Sequence, residues 1–306
     1  MYYCGLKIGE EINTAVIIDD KAILMGNNIN FRTENIEIEA FIEALNTYGI
    51  DKSNLMLCMD FDLITGYKNA YIVYKYFKDN GWNIRIKKYD VKSERVVMVI
   101  ERNKVDTDTH ILAKFLKYNR DKSELFMDEN LNVKIKFDKS YMKINIVMNI
   151  VLFLFILYVM FYAIDVSAEL NSGELLIKLF FVMVLIFFDY YVFRKFWLKC
   201  NAKLPRLVLN NNEMEILDTS YNGACKRYLE KIKLKDIIKI EKEIIYTKGN
   251  DIKKVKIITD KEHHEIIGNE LNIKFKILCR LINFYWVNFS GRFQDKSQLI
   301  DYDKND

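Results

Sequence analysis

Four aspartates carry the residue types and spacing that could do chemistry. Asp60 and Asp62 end a run of apolar residues, NLMLCM, and Asp106 and Asp108 stand together at the start of a later helical pattern. A divalent cation needs several hard oxygen ligands brought from different elements to one point. These four carboxylates, with Glu39 or Glu43 as a further ligand, could hold Mg²⁺ or Mn²⁺ and activate water for phosphodiester cleavage. Two ordinary roles compete with that reading. Aspartate at a helix start is a natural N-cap, which suits Asp106 or Asp108, and aspartates after a strand commonly sit solvated in a turn. Other candidates are weaker. His110 lies alone on its helix. His263 and His264 are adjacent in a strand, so they point to opposite faces and read as hairpin surface. No Gly-rich phosphate loop, Ser-His-Asp order or HExxH appears.

The elements that must position Asp60 and Asp62 form an α/β domain over residues 1–125. Strands are expected at Tyr2 to Ile8, Asn13 to Ile18 and Ala22 to Met25, with a helix from Ile36 to Tyr48 closed by Gly49. A buried strand at Asn54 to Met59, a helix at Tyr67 to Lys78, strands at Asn83 to Lys88 and Arg95 to Glu101, and a helix from Asp106 to Tyr118 complete a mixed sheet. This order would place Asp60 and Asp62 at the C-terminal edge of a central strand, where open α/β sheets hold ligands.

A connector or extra strand (126–143, with the alternation NVKIKF) leads to two long apolar runs, Ile144 to Ile164 and Leu175 to Phe193. About 20 apolar residues span a hydrocarbon core. The expectation is a two-helix transmembrane hairpin over 144–193, with Asp189 and Lys178 snorkelling near its ends. Lys134, Lys136, Lys139 and Lys143 precede it, and Arg194, Lys195, Lys199, Lys203 and Arg206 follow it, while the loop DVSAELNSGE has no base. That asymmetry puts both termini in the cytoplasm of a multi-pass protein of the cytoplasmic membrane. The opening MYYCGLKIGE has no basic n-region or apolar h-region, so targeting is expected to fall to the first apolar run.

Residues 206–292 change to a period of two, and the 293–306 tail is polar. About six short antiparallel strands are followed by an amphipathic helix from Ile273 to Trp286. Lys231, Lys233 and Lys235 form a stripe opposite Ile232 and Leu234. It reads as a solvated strand face, with anionic lipid contact as the alternative. The five cysteines are scattered without a CxxC pair, which suits reduced thiols and offers no zinc site. The net charge of +4 comes largely from the bases flanking the apolar runs and is no argument for nucleic acid.

Three resemblances bear on function. LVLNNNEMEIL, KIKLKDIIKIEKE, VKIITDKEHHEII and the final helix together resemble bacterial pleckstrin-homology-like (PH-like) domains found after membrane hairpins. That implies binding or assembly rather than catalysis. CGLKIGEEINTAVIIDDKAIL and the strand–helix order resemble the ribonuclease H-like and actin-like superfamily, whose Asp-x-Gly is here Lys7-Ile8-Gly9. GWNIRIKKYD and KVDTDTHILAKFL are similar to NYN-type (PIN-like) nuclease domains, whose serine-glycine-aspartate strand end is missing. The combined expectation is a membrane-tethered binding, sensing or assembly module that binds lipid, self-associates and takes an unidentified protein or small-molecule ligand, without a cofactor. The alternatives are a membrane-anchored metal-dependent nuclease acting on nucleic acid through Asp60, Asp62, Asp106 and Asp108, and a ligand-gated effector that perturbs membranes.

Overall fold

Three strands, β1 (Tyr2–Ile8), β2 (Asn13–Asp19) and β3 (Leu24–Phe31), begin the chain as an antiparallel meander. The computed structural model describes residues 1–88, 107–128, 130–166, 172–217, 219, 228–247 and 251–292. Helix α1 (Asn35–Thr47) then leads to β4 (Leu55–Ile64), and α2 (Tyr67–Asp79) leads to β5 (Asn83–Lys87). β4 lies parallel to both β1 and β5, so the sheet order is β3-β2-β1-β4-β5 and the sheet is mixed. The expected strand Arg95 to Glu101 and Asp106 lie outside the described residues, as do the whole 293–306 tail and the middle of the loop at 167–171.

The N-terminal sheet is covered on both faces. β4 explains why: in LMLCMDFDLI the first seven residues are all buried. Leu57, Met59 and Phe61 join the core beneath α1 and α2, while Met56 and Cys58 face α3 (Asp108–Asn119). Helix α3 lies so close to β1 that a Cβ on Gly5 would fall 2.1 Å from the carbonyl oxygen of Thr109. Only glycine admits that approach.

The residues between the N-terminal sheet and the apolar helices form an extra strand. Leu131, Val133, Ile135 and Phe137 are buried, whereas Lys134 and Lys136 are exposed. β6 (Val133–Ile135) pairs antiparallel with β7 (Leu207–Leu209), which pairs with β8 (Glu213–Leu217) and then β9 (Tyr228–Lys233). A second sheet contains β10 (Ile237–Ile245), β11 (Ile252–Thr259) and β12 (His263–Ile267). Helix α6 (Phe275–Phe289) closes both; ten consecutive residues, Ile277 to Trp286, are buried. A helix buried all round packs against more than one body. One side of α6 meets this β unit, and the other meets α2 and β4, where Phe61 and Phe284 stack edge to face at 5.3 Å.

Between β6 and β7 the chain makes two long helices packed along one another, α4 (Lys139–Val166) and α5 (Ser172–Cys200). The expected two-helix transmembrane hairpin is not supported. Among the described residues one helix, Lys139–Tyr162, is long and apolar enough to cross a membrane, and only 6 % of its apolar window is buried. In the second helix, no stretch of spanning length beyond Lys178 avoids Asp189, Arg194 and Lys195 together. Those charges are costly at membrane depth. Asp189 does not snorkel either: it is buried, and its Oδ1 has no hydrogen-bond partner among the described residues. A multi-pass location is therefore withdrawn, and α4 stands as one candidate membrane-spanning helix.

Candidate functional site at the junction of the two sheets

Asp60 sits inside β4 rather than beyond its end, because the strand runs on to Ile64. Its register partner on β5 is Lys87, and the two side chains form an ion pair with Nζ 2.7 Å from Oδ2. Both are largely buried, and the ammonium also lies 5.0 Å from the centre of the Phe115 ring. Burial opposes the charge on Lys87, but the attraction and hydrogen bond of Asp60 outweigh it and raise the lysine pKa. The other oxygen of Asp60 accepts the backbone N–H of Asp62 at 3.0 Å. Its carboxylate is thus committed to a lysine and a backbone amide.

Asp62 lies two residues further along β4. Its side chain is 44 % exposed, yet the surrounding protein and the Asp60 charge raise its pKa above the ordinary aspartate value, with Arg280 pulling the other way. The Arg280 guanidinium is buried; Nη1 donates to the carbonyl oxygens of Phe61 (3.0 Å) and Asp62, and lies 3.8 Å from Asp62 Oδ1. This one side chain of α6 therefore grips the end of β4. Arg280 carries no sequence signal beyond its place in an amphipathic helix, so pattern reasoning passes over it.

The remaining candidate carboxylates that are described, Asp108, Glu39 and Glu43, do not join this pair. Asp108 is the first residue of α3 and is exposed. It does not cap the helix: Thr107 does, its Oγ1 accepting the N–H of His110 at 3.3 Å. Helix α3 starts over Gly5 and ends where Arg120 donates to the Tyr3 hydroxyl at 2.6 Å, so it runs antiparallel to β1. Glu39 accepts the Tyr76 hydroxyl at 3.3 Å on an exposed face, and Glu43 is exposed on the same helix. Among the described residues no three His, Cys, Asp or Glu side chains stand together as a cation site. Among the described donors, Asp60 is neutralised by lysine and Asp62 faces arginine.

Lys87, the partner of Asp60, instead lines a basic cleft of about 300 Å³. Phe61 and Leu281 supply its apolar floor; Lys87 and Lys88 come from the end of β5, and Lys134 and Lys136 from β6. The edge of β5 is capped by chain 125–127: Lys88 N–H donates to Leu125 O and Met127 N–H to Ile86 O. A second opening of about 630 Å³ shares Lys88, Met127 and Lys134 and continues past Arg85. The connector lysines read from the sequence as membrane-flanking charge are thus also walls of an inter-sheet cleft.

One further expectation changes. His264 is not hairpin surface but buried, while His263 is exposed, as alternation along a strand requires. Lys231 bridges Glu213 (3.2 Å) and Glu215 (2.7 Å) across the β8–β9 pair, the behaviour of a solvated strand face. No family model matches the chain, and no curated protein matches it.

Proposed function

We propose that the chain is a membrane-tethered binding module in which α4 enters the bilayer and the two packed α/β and β units bind a ligand beside it. The single observation that carries this reading is α4 itself. Its side chains from Ile144 to Tyr162 are overwhelmingly apolar and exposed, with Leu154 57 % and Tyr158 68 % exposed, and the helix is continuous with the folded units through Phe137 and Met142. Apolar surface on that scale needs a cover of equal apolarity. Lys134, Lys136, Lys139 and Lys143 stand at its entry, which favours the cytoplasmic side for the folded units. The likeness of the β unit to PH-like domains gains support from a four-stranded and a three-stranded sheet closed by one helix. The likeness of the N-terminal unit to the ribonuclease H-like and actin-like superfamily gains support from the β3-β2-β1-β4-β5 order.

The test is membrane extraction of the full chain. Wild-type protein is expected to float with phosphatidylcholine vesicles and to resist alkaline carbonate. A Leu154→Arg/Tyr158→Arg variant, altered only at exposed positions, is expected to be released. Wild-type protein recovered in the carbonate supernatant overturns the tether.

A further inference from the structure

Among the described residues, the cleft between β5 and β6 carries a charge that no carboxylate neutralises. Lys87 is neutralised by Asp60, but no carboxylate among the described residues pairs with Lys88, Lys134 or Lys136. Two acids, Glu124 and Asp128, line the adjoining opening. Asp128 is engaged by Asn132: its Oδ1 accepts Asn132 N–H at 2.7 Å and its Oδ2 accepts Asn132 Nδ2 at 3.2 Å.

Lys88, Lys134 and Lys136 line one concavity, and like charges sharing a low-dielectric concavity repel one another and concentrate their field. Nothing in the β pairing requires lysine there, since the exposed face of a strand such as β6 accepts any polar residue. The floor under the lysines is apolar, made by Phe61 and Leu281. Lysine acts on a phosphate as a compact point charge with three donors, suited to several oxygens of one anion.

From these observations we infer that the cleft is a binding site for a phosphate-bearing anion, held by Lys88, Lys134 and Lys136 above Phe61 and Leu281. The inference rests on the reading of the chain as a binding module and names its ligand chemistry. Asp60 has a part in it: it neutralises Lys87, so the cleft presents three charges to the ligand rather than four, and it holds the Lys87 ammonium on the Phe115 side. The phosphate can belong to a free phosphorylated molecule or to a lipid headgroup, since Lys136 is three residues ahead of the first residue of α4.

The experiment compares the full chain in neutral detergent with a Lys88→Gln/Lys134→Gln/Lys136→Gln variant and with a Lys231→Gln/Lys233→Gln/Lys235→Gln control of equal charge. Inorganic pyrophosphate is titrated calorimetrically in one arm. In the other, binding to phosphatidylcholine vesicles with and without phosphatidylglycerol is measured. Saturable pyrophosphate binding, weakened by about tenfold or more in the cleft variant and unchanged in the control, supports a free phosphorylated ligand. Phosphatidylglycerol-dependent binding lost in the cleft variant alone supports a headgroup. No anion dependence in either arm, or equal losses in cleft variant and control, overturns the inference. The pyrophosphate arm needs no bilayer, so its result stands apart from that of carbonate extraction. Should the triple variant melt early, the single substitutions Lys134→Gln and Lys136→Gln, both on the exposed face of β6, carry the same comparison.

Discussion

Lys199 Nζ lies 2.5 Å and 2.6 Å from the two carboxylate oxygens of Glu270, and both side chains are buried. The pair joins the last turn of α5 to the 3-10 turn after β12, so it fixes the apolar helices to the β unit. Burial lowers the pKa of Lys199, against the pull of Glu270, and neighbouring Lys195 and Arg206 lower it further. The ammonium also lies 5.9 Å from the centre of the Phe137 ring. Those contacts make the lysine a rivet between three elements.

A buried charge left without its partner is far more costly than the pair itself contributes. Lys199→Met, which strands Glu270, is expected to destabilise the chain by about 3 kcal/mol, read by urea unfolding in detergent. Lys199→Met/Glu270→Leu is expected to recover most of that loss. Equal losses in the single and double variants would show that packing around the aliphatic stem, and not the charge pair, holds the joint.

Asp62 gives a pH dependence with a definite sign. Its folded-state pKa is raised, first by burial and then by the Asp60 charge. The folded chain therefore holds this proton more tightly than the unfolded chain. The associated stability is fully present below the ordinary aspartate value of 3.8 and is lost as pH rises through the raised one. Asp62→Asn removes the ionisation, so its melting temperature should exceed that of wild type at neutral pH and the gap should close in acid. A gap that persists or widens on acidification would mean that contact with Arg280, rather than desolvation, governs this carboxyl.

Local patterns made much of this fold legible. The bounds of β1 and β2 between turn residues, the helix signals from Ile36 and Tyr67, and the buried run in β4 all follow from side-chain period and turn residues. The end of β4 was not legible in the same way, because Asp60 and Asp62 look like turn residues until Lys87 and Arg280 are brought beside them. Those partners are 27 and 218 positions away, and neither spacing has a local signature. The extra strand β6 was half visible in NVKIKF; its pairing with β7 was hidden by the two long helices between them. The second apolar run misleads for a related reason. Length and composition resemble those of a span, while Asp189 is buried in the structure and sets that helix apart from α4.

The Asp60–Lys87 pair bears most directly on the choice between binding and nuclease chemistry. A metal-binding Asp60 would gain from Asp60→Asn a loss of cation affinity and of cleavage, with little change in stability. An Asp60 that neutralises a buried lysine would instead lose stability, because Asn leaves Lys87 charged and unpaired near Phe115. We expect Asp60→Asn to lower unfolding stability by roughly 3 kcal/mol, and Mg²⁺ or Mn²⁺ to leave the wild-type melting temperature unchanged. The same samples are incubated with labelled single- and double-stranded RNA and DNA in the presence of either cation. Cleavage by wild type that Asp60→Asn abolishes without destabilising the protein would restore the metal reading. Loss of stability without any cleavage would leave Asp60 as the residue that sets the charge of the basic cleft. In that case Asp60→Asn/Lys87→Met, with both charges gone, should regain most of the lost stability and still bind pyrophosphate through Lys88, Lys134 and Lys136.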